Sequence, residues 1–153
     1  MTKIGTILVA TDGSAASGAA VEQSVALAGG LGARLIVINV VNQPVATTTG
    51  SVLTATRDSA RDEAEEIARE VADEAQRAGV DATYLIREGQ PGESIVAAAE
   101  EEGADLVVVG THRRPVVGRL LLGSVSQYVV QHAGVPVLVA RPLPARRLEP
   151  VTA

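Results

Sequence analysis

The feature that most constrains this chain is an alternation. Five short apolar runs, IGTILVA (4–10), ARLIVINVV (33–41), VDATYLIRE (80–88), ADLVVVG (104–110) and VPVLVAR (135–141), are separated by longer stretches with helical periodicity. The second run is nearly continuous in apolar residues, as expected of a strand covered on both faces. Residues 15–31 place Ala20, Ser24, Leu27, Ala28 and Leu31 on one helical face, and Gly29, Gly30 and Gly32 are expected to stop that helix. A long helix over roughly 53–78 carries Ala60, Ala64, Ile67, Ala68, Val71, Ala72 and Ala75 as its stripe. Its solvated face bears Glu65–Arg69 and Asp73–Arg77 at i,i+4. Pro91-Gly92 leads into a short helix that ends at Gly103, and Gly123-Ser124 opens another, SVSQYVVQHA. The order β-α-β-α-β-α-β-α-β implies an α/β fold, a parallel sheet with helices on both faces. Right-handed crossovers make it doubly wound, with five strands in the order 3-2-1-4-5. The switch point then lies between strands 1 and 4, whose C-terminal ends are Asp12 and Gly110. Two features far apart in the chain converge on one crevice.

The core of such a domain is aliphatic, because aromatic residues make up 1% of the chain: Tyr84 and Tyr128. At 153 residues the chain is one domain of ordinary size. A domain of residues 1–141 is expected, followed by a Pro-rich, polar and flexible tail, 142–153. The net charge of −5 gives no global attraction to nucleic acid or to an anionic membrane. There is no cysteine, so disulfides, thiolate nucleophiles and cysteine–zinc sites are excluded together. The N-terminus runs directly into a strand without a signal peptide, and no apolar run reaches the length of a membrane span, so a cytoplasmic location is expected.

Motif elimination narrows the chemistry. There is no GxxxxGK[ST] loop, no GxGxxG after strand 1, no GxSxG elbow and no paired-histidine zinc motif. His112 and His132 are too few for a metal cluster without partners. What remains is the loop between strand 4 and the last helix. Ser124 with Gln127 three residues on reads as a capping box. The first turn of that helix presents unpaired N–H groups and the positive end of the dipole, and Gly123 lets an anion approach the backbone. On the Gly-Ser pair alone, a plain helix start is the favoured reading. Likewise Asp12 reads as an Asx turn capping the first helix.

Taken as a set, ILVATDGS (7–14), EEEGADLVVVGTH (100–112) and LLLGSVSQYVVQHAGVPVLVAR (120–141) resemble the universal stress protein family, over residues 3–141. The resemblance implies a flavodoxin-like α/β domain, often a homodimer, acting in stress survival or growth arrest. Many members bind ATP through a glycine, two residues, a second glycine, nine residues and a Gly-Ser or Gly-Thr pair. Carried over, Asp12 matches the strand-1 residue that approaches the nucleoside and Val40 the strand-2 residue that packs on adenine. Gly110 matches the first loop glycine, Thr111 and His112 the two residues after it, and Gly123, Ser124 and Val125 the phosphate-binding helix start. The second glycine position holds Arg113. If that position is left-handed, a side chain there costs roughly 1–2 kcal/mol, about tenfold in affinity. If phosphate lies where the side chain would sit, Arg113 blocks the site. As a third possibility, its guanidinium replaces the lost backbone contact.

Two functions follow from these alternatives. One is a regulatory module of the stress response that binds ATP or a related adenine nucleotide, with Mg²⁺ supported by the hard oxygen of Asp12. The other is a nucleotide-free protein-interaction module in which Arg113 closes the site. An enzyme ranks last, with at most slow ATP hydrolysis, because only Asp12 or His112 offers a general base. Strand 135–141 would end the sheet as an apolar edge, and the resemblance also points to a homodimer through it. A further protein partner is expected but not identified.

Overall fold

The computed structural model describes residues 3–42, 51–111 and 122–142. Its elements are β1 (Thr6–Ala10), α1 (Ala15–Leu31), β2 (Arg34–Val41), α2 (Ser51–Arg77), β3 (Ala82–Glu88), α3 (Pro91–Glu101), β4 (Leu106–Gly110), α4 (Ser124–His132) and β5 (Val137–Ala140). All strand pairings are parallel and the sheet order is β3-β2-β1-β4-β5, the flavodoxin-like α/β order expected from the alternation.

Strand residues alternate between two aliphatic cores because successive side chains leave opposite faces of a sheet. Ile7, Val9, Leu35, Val37, Leu106 and Val108 pack under α1 and α2, against Ala20, Ala28, Ala68, Ala72 and Ala75. Leu8, Ile36, Ile38, Val107 and Val109 pack under α3 and α4, against Ile95, Ala98, Ala99 and Val129. Alanine at the sheet-facing helix positions lets the helices sit close to a layer of branched side chains. β1 and β2 are buried on both faces, which explains their nearly continuous apolar runs.

Three local expectations need correction. Gly29 and Gly30 do not stop α1: they lie inside it, and the helix ends at Gly32, whose left-handed backbone (φ 63°) donates its N–H to the Ala28 carbonyl. Leu31 therefore falls at the last position of the helix and is 44% exposed, outside the buried face. The long helix does form the Glu65–Arg69 pair, at 2.8 Å, but among the described residues Asp73 and Arg77 make no ion pair. Edge strand β3 is tied to α2 by Glu88, which accepts from Arg57 and Arg61, and by Tyr84, whose hydroxyl donates to Glu65 at 3.1 Å.

Candidate functional site

The crevice begins at the end of β1. Thr11, Asp12, Gly13 and Ser14 turn the chain from strand into α1, with Gly13 in a left-handed conformation (φ 80°). Asp12 Oδ1 accepts the Ser14 N–H at 2.9 Å, forming the Asx turn. Ser14 is the N-cap of α1 and accepts from the Ser17 N–H. Ser17 donates its hydroxyl to the Ser14 carbonyl at 3.0 Å and lies 3.1 Å from Thr11 Oγ1. Thr11 and Ser17 are buried, so this hydroxyl cluster holds the turn in one arrangement.

Beside it, β4 ends at Gly110. A Cβ there would stand 2.4 Å from the Ala16 carbonyl oxygen and 2.9 Å from its carbon. The first turn of α1 therefore passes directly over Gly110, and the glycine is required by this close approach whether or not a ligand is present. On the other side, the Gly110 carbonyl accepts the Ser126 hydroxyl of α4 at 2.5 Å. One residue of β4 thus sets the spacing of α1 and α4 around the crevice.

The resulting cavity is about 290 Å³, near the lower end of the ~300–1,000 Å³ typical of small-ligand sites. Of the residues singled out in the sequence, it brings together Asp12, Val40, Gly110 and Val125. Val40 is half-buried and joins Ala10, Ile38, Ile95 and Val109 in an apolar wall. Beside Asp12, Thr11, Ser17, Asn39, Asn42 and Ser126 supply the polar lining, and the sequence reading missed all five. Asn39 is partly committed, donating to the Ala64 carbonyl of α2 at 3.2 Å.

A second cleft of about 320 Å³ adjoins the first and shares Asn42, Pro91 and Val125 with it. It opens at the N-termini of α3 and α4. Neither Gln90 nor Gly123, the two N-cap residues, makes a side-chain cap hydrogen bond. Ser124 is not the N-cap expected from the capping box. It is the first helical residue, exposed and lining this second cleft, because Gly123 already has the extended backbone of a cap (φ −65°, ψ 164°). The free N–H groups at the start of α4 face an anion-compatible opening. At the start of α3, Glu93 lines the same cleft and opposes an anion there.

Thr111 departs from the expected set. It is buried, donates its N–H to the Ala140 carbonyl of β5 at 3.2 Å, and lines neither cleft. His112 and Arg113 lie outside the described residues, as do residues 143–153 of the tail. Among the described residues no group of three or more His, Asp or Glu side chains could hold a metal ion. Nor, among them, is any helix long and apolar enough to cross a membrane.

Comparison with known proteins places this geometry in context. The model of the universal stress protein family matches residues 3–141. The universal stress protein YxiE of Bacillus subtilis is 33% identical over 144 residues, spanning 88% of this chain and 97% of that protein. The solved structure of MJ0577, a universal stress protein of Methanocaldococcus jannaschii, has a TM-score of 0.81 at 25% identity and covers 94% of this chain and 100% of its own. A universal stress protein solved in complex with cAMP has a TM-score of 0.65 at 29% identity, covering 91% of this chain and 98% of its own.

Proposed function

The chain belongs to the universal stress protein family, and from that premise we propose that its strand-end crevice binds an adenine nucleotide, ATP being the form its phosphate-side opening suits. The observation that carries the reading is the junction of two cavities of different character. An apolar slot walled by Val40, Ile95 and Val125 is sized for a nucleoside, and it runs into a cleft at the uncapped start of α4, where phosphate oxygens would meet backbone N–H groups. The relative solved with cAMP adds support for an adenine ligand in this fold.

Asp12 lines the slot and supplies a hard carboxylate oxygen. No cluster among the described residues would hold Mg²⁺ by itself, so the ion would arrive with the phosphates, and Asp12 would serve as a protein ligand only where the phosphate chain reaches back from the second cleft to the slot. Asp12 is also the one carboxylate in the described lining of the slot. A described lining this sparse in acid–base groups supports a module whose bound state is read by partners over a dedicated catalyst. We assign the chain as a regulatory module of the stress response, acting as a homodimer joined at the β5 edge.

The absence of tryptophan and the presence of two tyrosines make the ligand test direct. Protein purified without added nucleotide should carry, or readily take up, an adenine chromophore that dominates its ultraviolet absorbance and is released on denaturation. Val40→Glu should weaken Mg-ATP binding by more than tenfold. A clean spectrum together with no thermal shift on adding Mg-ATP would overturn the reading and favour the nucleotide-free interaction module.

A further inference from the structure

Helices α1 and α2 leave a groove of about 700 Å³ between them. Its floor is aliphatic: Val21 and Val25 from α1, Ile67 and Val71 from α2, all half-buried. Its rim is acidic, with Glu22, Glu63, Glu70 and Glu74 all exposed, and no lysine or arginine belongs to its described lining. Elsewhere on the surface, Glu65, Glu88, Glu101 and Glu102 each hold an arginine. Among the described residues the four groove glutamates form no ion pair.

The spacing specifies what would fit. On α2 the residues Glu63, Ile67, Glu70, Val71 and Glu74 share one helix face. At ~1.5 Å per residue, Glu70 and Glu74 are about 6 Å apart and Glu63 and Glu74 about 16 Å apart along the axis. Cations one turn apart on a docked helix, or two residues apart on an extended segment, match the shorter interval. An acidic segment would be repelled by the rim, and a purely apolar one would leave the four carboxylates to be desolvated without partners. We propose that the α1–α2 groove docks a basic amphipathic segment of a partner protein, its aliphatic side chains on the valine–isoleucine floor and its arginines or lysines on the rim glutamates. Thr11, Asp12 and Ser17 wall both this groove and the nucleotide slot, so a docked segment and a crevice ligand press on the same turn. That coupling rests on the nucleotide reading; the docking does not.

The test uses the full chain, free of nucleotide, and a fluorescent synthetic peptide of about a dozen residues with leucines on one helical face flanked by arginines, the length that spans the rim. A matched peptide with glutamate in place of arginine is the control. The arginine peptide should bind and the glutamate peptide should not. Glu70→Lys/Glu74→Lys should weaken binding at least tenfold, while Glu100→Lys/Glu101→Lys, the same charge change on α3, should leave it within twofold. Amide resonances at Val21, Val25, Ile67 and Val71 should shift on binding. Failure to bind the arginine peptide, equal loss in both double variants, or shifts confined to other surfaces would overturn the proposal. Binding that appears only after residues 143–153 are deleted would assign the groove to the chain's own end and would overturn it as well.

Discussion

Replacing Gly110 with alanine separates two reasons for a glycine at the end of β4. If its role is only to make room for phosphate, the substitution is silent in nucleotide-free protein. The structure gives a different reason. The new methyl would stand 2.4 Å from the Ala16 carbonyl oxygen and 2.9 Å from its carbon, both backbone atoms that no rotamer change can move. α1 must shift by most of an ångström, and Ala16 lies beside the Thr11–Ser17 hydroxyl pair that fixes the turn. Overpacking of this kind costs about 1–3 kcal/mol, and a clash with rigid backbone belongs at the upper end. At ~2–4 °C per kcal/mol for a domain of this size, Tm should fall by roughly 6–12 °C without any nucleotide. Gly30→Ala is the internal control. Gly30 is inside α1 with nothing within 4 Å of the added carbon, so alanine there should stabilise by about 0.5–1 kcal/mol. Urea and thermal denaturation of both variants would decide the matter. A Gly110→Ala protein within about 0.5 kcal/mol of wild type would refute the packing argument, since surface-like neutrality is incompatible with a backbone clash.

Three further outcomes are expected. Ser126→Ala removes the hydroxyl that α4 donates to the Gly110 carbonyl and should cost about 1 kcal/mol in urea denaturation, with weaker nucleotide binding as α4 loosens. The Glu88 carboxyl is held below its ordinary value of 4.5 by hydrogen bonds from Arg57 and then Arg61. Its contribution to stability is therefore complete above that value and is lost as pH falls through the lower folded-state value, so wild type should lose stability on acidification below about 4.5 more steeply than Glu88→Gln; parallel pH profiles would refute it. The effect should shrink with added salt, because the pair is exposed. For the dimer, light scattering should give twice the 15.7 kDa chain mass. A monomer at micromolar concentration would remove β5 as an assembly edge.

Much of this architecture was legible in the linear chain, and the reason is that its signals are local. The period-two and period-3.6 apolar patterns depend on neighbours a few residues away, so β1–β5 and α1–α4, their order and the convergence of Asp12 with Gly110 could all be read directly. The Asx turn at Asp12 is local in the same sense. What escaped depends on contacts between remote segments. Gly110 looked like a phosphate-loop glycine, yet its packing partner, Ala16, is on a helix that begins far earlier in the chain. Thr11, Ser17, Asn39 and Ser126 are ordinary polar residues until a turn, a strand and two helices bring them to one cavity. Gly29 and Gly30 resemble a helix stop, but the main chain carries them through α1 and the left-handed turn waits for Gly32. Ser124 resembles a cap, but the backbone reaches its extended conformation one residue sooner, at Gly123. Thr111 sits in the motif, yet it is buried, bonds through its N–H to β5 and lines neither cleft. Periodicity determines which elements form and in what order, because burying an apolar face is a property of each element. The walls of the crevice, and the acidic groove beside it, were decided only when helices crossed a twisted sheet and placed residues a hundred positions apart within hydrogen-bonding distance, as with Gln23 and the Arg141 carbonyl, 118 positions apart and 2.9 Å from each other.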